Sequence, residues 1–421
     1  MKRKLIIFLC TCIACNVQAQ LSPEKMLANK AITAGNFYSY PAPNDTEMSY
    51  PKGYKPFYIS HFGRHGSRFH SSEKYYKKPL DLLLKAHEAK ALTPKGEALL
   101  AKMQIVYDDA LNRYGDLTPR GVLEHKGIAQ RMYHHYPEVF ACRKGGCPVV
   151  ESRSTMVVRC VLSMAAFNES LKEQNPNLVM VREASERYLD YMFVRQGGRS
   201  QYKAAKAVCD SLKQAWLQPE RFLGSLFSSN DFIKANVRTQ FHTMYDFFMV
   251  ASILQDVDYL GLDMYDLFTD DELYALWKCM NSYCYLTMGA SKRFGDYMLD
   301  DVRPLLKNMV ETAQSVIDGK HNVAATLRFA HDCSVIPLAA LLEMKGACER
   351  LEVDEITDGW NVSEVTPMAT NIQFIFFRNK DNAIKVRVLL NEKDATLPLA
   401  GAPYYDWTEF SSFCRSKYNT L

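Results

Sequence analysis

Several short runs along the chain are apolar on most positions and stop abruptly at polar, charge-bearing residues. Pro56-Phe57-Tyr58-Ile59-Ser60-His61-Phe62-Gly63 is rich in aromatic and β-branched residues, ends at a glycine and predicts a strand. Val149-Val150-Glu151-Ser152 predicts a second, running into Arg153-Ser154-Thr155. Asn322 to Ala330 predicts a third, which stops at His331-Asp332 ahead of an apolar helix from Val335 to Met344. Ile372 to Phe377 and Val386 to Leu390 predict paired strands across a turn at Asn379 to Asn382. Helical spacing takes over elsewhere. Two stretches open with Leu-Thr-Pro-basic-Gly, at Leu92 to Gly96 and Leu117 to Gly121, where Thr suits an N-cap and Pro the first turn. Met156, Cys160, Ser163, Met164 and Phe167 recur at the spacing of a buried helix face. From about 170 to 300 the pattern is helical and aromatic without alternation of period two, and Asp270-Asp271-Glu272 marks one helix start. Residues 20 to 55, with Pro41, Pro43, Pro51 and Gly53, read as an extended arm. The fold class expected is α/β: a three-layer α/β/α core from 20–170 and 300–421, with a mainly helical cap inserted at 171–299.

Composition narrows the class. Hydrophobic content of 48% and charged content of 23% are ordinary globular values, which excludes disorder. Met1 to Gln20 has a basic start, an apolar run from Leu5 to Ala14 and Val17-Gln18-Ala19 at cleavage-type positions, so a secretory signal over 1–19 is expected. Lipid anchoring at Cys15 ranks second, because Cys12 stands where a lipobox takes leucine. No later run reaches the roughly 20 apolar residues of a membrane helix. Lys2, Arg3 and Lys4 account for three of the four net positive charges, so the mature chain keeps about +1 and no basic field for nucleic acid. Three of the twelve cysteines fall in the signal and nine remain, an odd number; Cys142 and Cys147 around Gly145-Gly146 are the expected local bridge. Among these nine, a zinc site has no Cys-x2-Cys pair to support it.

The chemistry lies at the strand ends. Arg64-His65-Gly66-Ser67-Arg68 sets an imidazole between two guanidiniums, with a glycine that admits close approach of a ligand to the backbone. In open α/β sheets ligands bind outside the carboxyl ends of strands, so Arg64, Arg68, Arg153, His331 and Asp332 can share one crevice with His65. Such a pocket binds a phosphate dianion and spreads charge over a transferring phosphoryl group. A neutral imidazole there can attack phosphorus, and a carboxylic acid can protonate the leaving oxygen. Arginines take the electrostatic role a metal plays elsewhere, so no cofactor is called for. His134-His135 at a helix end, and Ser67 and Ser154 outside any Gly-x-Ser-x-Gly, carry no chemistry in this reading.

Taken in order, these motifs resemble the histidine acid phosphatase family, the branch of the histidine phosphatase superfamily with phytases and multiple inositol polyphosphate phosphatases. The resemblance rests on the first cluster, Leu117 to Gly121, Arg153-Ser154-Thr155, Leu327-Arg328-Phe329-Ala330-His331-Asp332, Asn391-Glu392 and Leu397-Pro398. It implies that His65 is the nucleophile forming a phosphohistidine and that Asp332 is the proton donor. It implies that Arg64, Arg68, Arg153 and His331 hold the phosphate, with Cys142 and Cys147 in an exposed loop away from the chemistry. Two positions depart from the family pattern: His70 stands in place of a proline and Cys333 in place of a threonine. The His-Asp pair also differs from the His-Ala-Glu of the inositol polyphosphate branch. The expected activity is secreted, metal-independent hydrolysis of phosphate monoesters, inositol or sugar phosphates, in mild acid. A phosphotransferase or mutase on the same fold and a non-catalytic binder of phosphorylated ligands are the alternatives; oligomeric state, the ester cleaved and any contact of His70 with substrate stay open.

Overall fold

The computed structural model describes residues 21–44, 49–142, 146–192, 194 and 199–419; the expected signal over 1–19 lies outside them. Among the described residues, eight strands form one mixed sheet: β1 (Tyr54–Arg64), β2 (Val149–Ser154), β3 (Val179–Ala184), β4 (Ala325–Ala330), β5 (Asn371–Asn379), β6 (Ile384–Leu390), β7 (Lys393–Asp394) and β8 (Tyr404–Asp406). The order is β3-β2-β4-β1-β5-β6-β7, with β8 also on β6. β3, β2, β4 and β1 are parallel, and β5 joins β1 antiparallel. All five strands expected from the hydrophobic pattern are present. β4 and most of β5 are buried on both faces, which is why they read as runs rather than alternations.

Helices cover both faces. Ile59 on β1, Leu327 and Phe329 on β4, and Ile375 and Phe377 on β5 pack against Ile128, Met132, Phe167 and Leu171 of the helices Pro119–His135 and Val158–Gln174. The opposite face, with Tyr58, Phe62, Phe374 and Phe376, meets the helices Tyr297–Ile317, Asp332–Leu341 and Trp407–Tyr418 through Leu306, Met309, Ile336 and Phe410. This is the three-layer α/β/α arrangement.

The helical layer does not coincide with the expected insert at 171–299. The helices Lys74–Glu88 and Pro94–Ala110 pack against Pro219–Leu226 and Gln240–Ser252, so the cap draws on chain from before residue 171 as well as after it. Val179–Ala184, expected in the insert, is a sheet strand. As the edge strand it is mostly exposed or half-buried, and it shows no alternating pattern. The arm at 20–55 is not simply extended either. It holds the helix Pro23–Ala28 and a 3₁₀ segment Lys30–Phe37, buried from Thr33 onward. The helix at Asp270–Met288 starts as expected, closed by a capping box between Thr269 and Glu272.

Candidate active site

β1 ends at Arg64 and the chain turns at once into His65-Gly66-Ser67-Arg68. Three main-chain bonds fix the turn: Arg64 N–H donates to Thr370 O (2.8 Å), His65 N–H to Ala330 O (3.0 Å) and Ala369 N–H to His65 O (3.1 Å). The second Leu-Thr-Pro-Arg-Gly stretch supports the turn from below. Leu117 bridges to Arg68, the Thr118 N–H and hydroxyl both donate to Ser67 O (2.9 and 3.1 Å), and Gly121 lies so close that a Cβ there would meet Ser67 O. A Cβ on Gly66 would lie 2.6 Å from Gly121 O. Each glycine therefore makes room for the other backbone. Gly66 N–H donates to Ser163 Oγ (3.1 Å), which ties the turn to the helix Val158–Gln174 as well.

The imidazole of His65 is buried, and its Nδ1 lies 2.9 Å from Gly66 O. That carbonyl can only accept, so Nδ1 carries the hydrogen and Nε2 keeps its lone pair. Burial first, and then the positive charges of Arg159, Arg64 and Arg68, hold His65 well below its ordinary pKa, so the ring is neutral. His331 lies beside it, ring centres 5.6 Å apart, and is lowered to about 4 by burial and Arg159, against the pull of Asp332. Cys160 donates to Ala330 O (3.2 Å) and rests its sulfur 3.8 Å from His331 Nε2.

Arg64 is fully buried. Its Nη1 donates to the carbonyls of Asn36, Thr366 (3.0 Å) and Pro367 (3.1 Å), and its Nη2 pairs with Asp332 Oδ2 (3.0 Å). Asp332 opens the helix Asp332–Leu341, accepting from Cys333 N–H (2.9 Å) and Asn36 Nδ2 (3.0 Å). Burial alone would raise its pKa; Arg64, Arg68 and His331 outweigh that and bring it to about 2. Arg68 stacks on Phe37 (5.2 Å) and is lowered to about 10 by burial and the neighbouring guanidiniums. Among the described residues, the buried Nε–H groups of Arg68 and Arg159 have no acceptor.

Of the six residues expected at the site, Arg64, His65, Arg68, His331 and Asp332 come together; Arg153 does not. Arg153 pairs with Glu151 (3.3 Å) and Glu183 (3.5 Å) and stacks on Tyr188 (4.9 Å), so two carboxylates already neutralise it. The third guanidinium is that of Arg159, in the first turn of the next helix. Asn36, from the supposed extended arm, is the other residue the sequence reading missed. His70 turns its Nε2 to Met249 O (2.7 Å), a bond to the helical layer. Cys333 is buried beside Val194 O. Cys142 and Cys147 form the expected disulfide. Among the described residues no three His, Cys, Asp or Glu converge as metal ligands.

The family model of the histidine phosphatase superfamily, branch 2, matches residues 63–391, from the glycine that ends the β1 lead-in to the asparagine after β6. The chain belongs to that family. A histidine phosphatase of this branch acts on phosphate esters. Solved structures agree in fold. A multiple inositol polyphosphate phosphatase of Bifidobacterium longum in complex with inositol hexasulfate superposes with a TM-score of 0.77 at 19% identity, covering 92% of this chain and 98% of that one. Its phosphate complex gives 0.74 at 20%, with the same coverage. A phytase of D. castellii gives 0.72 at 14%, covering 93% and 86%. By sequence alone no curated protein matches it.

Proposed function

We propose that this histidine phosphatase is an exported phosphomonoesterase that works through a phosphohistidine at His65. The observation that carries the reading is the state of that ring: its Nδ1 hydrogen is committed to Gly66 O, and burial together with three guanidiniums keeps it neutral, which leaves a lone pair on Nε2 in a cationic pocket. Arg64, Arg68, Arg159 and His331 hold the phosphate oxygens. Nε2 attacks phosphorus, the P–O bond to the alcohol breaks, and Asp332 gives its proton to the leaving oxygen. Water then attacks the phosphohistidine, Asp332 takes a proton from it, and the N–P bond breaks to release phosphate. Inositol or sugar phosphates are the substrate class. The ligands of the B. longum relative, inositol hexasulfate and phosphate, support it. Export rests on the signal pattern in residues 1–19.

The test is phosphate release with a chelator present at about pH 5 from phytate, glucose phosphates and an aryl phosphate, beside a His65→Ala control. Release from one natural ester well above the aryl ester, lost in the variant and trapped as an acid-labile phosphoprotein in quenched wild type, is expected. Silence across the panel would overturn the reading.

A further inference from the structure

Ser67 sits between His65 and Arg68 and is fully buried. Its N–H donates to Glu124 Oε2 (2.7 Å), and its hydroxyl lies 2.8 Å from Glu124 Oε1 and 2.9 Å from Asp256 Oδ1. Asp256 Oδ1 also lies 2.8 Å from Ser39 Oγ, and Glu124 Oε1 accepts from Tyr40 N–H (2.8 Å). Four separate pieces of chain meet here: the N-terminal arm, the catalytic turn, the helix Pro119–His135 and the 3₁₀ segment Leu254–Leu260 of the helical layer.

The protons can be counted. Ser39 to Asp256, Asp256 to Ser67 and Ser67 to Glu124 are three hydrogen bonds, and two hydroxyls supply two protons. The third proton must lie on a carboxyl group. Glu124 accepts a main-chain N–H on each oxygen, and such bonds favour its charged form. Asp256 accepts none among the described residues, and its Oδ2 is buried without a partner. An ionised carboxylate in that position would be left with one oxygen bare. The chain of donors then runs one way: Ser39 to Asp256, Asp256 to Ser67, Ser67 to Glu124.

We infer that Asp256 is a neutral carboxylic acid whose proton, donated to Ser67, positions the turn bearing His65 and Arg68, and that its ionisation disables the enzyme on the alkaline side. The second half rests on the phosphatase reading; the first does not. The groups facing Asp256 are Glu124 from its helix, Arg68 from the turn, Tyr265 from the following 3₁₀ turn and Tyr76 from the helix Lys74–Glu88. Arg120 faces Glu124 from the same helix. Burial and Glu124 together raise Asp256 well above its ordinary value, against Ser39, Ser67 and Arg68. Once ionised, two carboxylates share a single Ser67 proton. The repulsion is relieved by moving the turn.

Infrared difference spectroscopy of wild type minus Asp256→Asn near neutral pH tests the proton directly. A protonated-carboxyl C=O band is expected in wild type and not in the variant. In wild type that band should titrate away over the pH interval in which kcat/KM falls. In Asp256→Asn, whose amide nitrogen can donate to both hydroxyls and cannot ionise, the alkaline fall should move up by at least about one pH unit or vanish. Should the variant not fold, the wild-type band and its titration still decide. No band overturns the proton assignment whatever the activity. A band that persists through the alkaline fall, or an unchanged fall in the variant, overturns the link to catalysis. A band in a chain with no phosphatase activity would leave the proton in place and remove the functional reading.

Discussion

At the scale of residues, the two arginines of the second strand region separate pairing from catalysis. Arg153 is opposite Glu183 in the β2–β3 register, a cross-strand ion pair, whereas Arg159 is the strongest charge acting on His65. Arg159→Ala should cost about 10²–10³ in kcat/KM, as loss of one preorganised donor to a phosphoryl oxygen does. Arg153→Ala should leave kcat/KM close to wild type, and the reverse ranking would refute the assignment. The gathering of five of the six expected residues was legible because they follow the carboxyl ends of two predicted strands, which lie side by side as β1 and β4. Arg153 was misplaced because its partner strand β3 is exposed and shows no alternation, so nothing in the sequence marked Glu183 as its neighbour. The usable signal for Arg159 was helical spacing: Arg159 and Ser163 are one turn apart on the face toward the catalytic turn. Asp332, brought to about 2 by Arg64, Arg68 and His331 against burial, must gain proton affinity from a phosphate dianion before it can act as an acid. Binding of sulfate, a dianion that carries no proton of its own at about pH 6, should therefore take up a proton. Calorimetry in buffers of different ionisation enthalpy reads this, and binding without uptake in wild type, or with equal uptake in Asp332→Asn, would remove Asp332 from the donor role.

At the scale of elements, the repeated Leu-Thr-Pro-basic-Gly is one device used twice. Leu117 bridges to Arg68, Thr118 N–H bonds Ser67 O and Gly121 abuts Ser67 O; Leu92 bridges to Phe227, Thr93 N–H bonds Leu226 O and Gly96 abuts Leu226 O. In both, a helix start is docked edge-on to a passing chain, and the glycine permits the contact. The sequence showed two helix starts but not what they dock on, because the docking partner is distant in the chain. Alanine at either glycine forces backbone apart at about 1–3 kcal/mol or more. Gly121→Ala should lose stability and most of kcat, since the carbonyl it strikes belongs to the turn between His65 and Arg68. Gly96→Ala should lose comparable stability in denaturant melts yet keep kcat per folded molecule, since Leu226 belongs to the helical layer. Equal losses of kcat in both would mean that the second copy does not position the catalytic turn.

At the scale of the whole molecule, folding around a cationic pocket and an apolar sheet face sets the response to pH. His61, His70 and His125 are buried and lowered to about 3, mainly by burial, and His331 to about 4. In the unfolded chain each titrates near 6.5, so below that pH the unfolded state binds protons that the folded state refuses. Stability then falls as pH falls from about 6.5 toward 4, by roughly 2 kcal/mol per such histidine at pH 5. Asp332 acts in the same direction lower down: its folded value is depressed, so its contribution is present above the unfolded value near 3.9 and is lost as pH falls toward 2. Asp256 is opposite in sign. Its folded value is raised, so its contribution is complete at low pH and is lost as pH rises through that value. The hydrophobic pattern gave the layers of the fold but not this behaviour, because a histidine in a sequence carries no sign of whether its ring will be hydrated. His125, fully buried and packed on Phe329, is the cleanest probe. His125→Leu should flatten the fall in melting temperature between about pH 7 and pH 5 by about one histidine's share, while leaving the neutral-pH value similar or higher. A parallel shift of the whole curve, with the slope unchanged, would show that the ring is protonated or solvated in the folded protein. Inorganic phosphate should restore part of the lost stability in acid, by about 2.7 kcal/mol at a hundredfold excess over Kd, because only the folded pocket binds it.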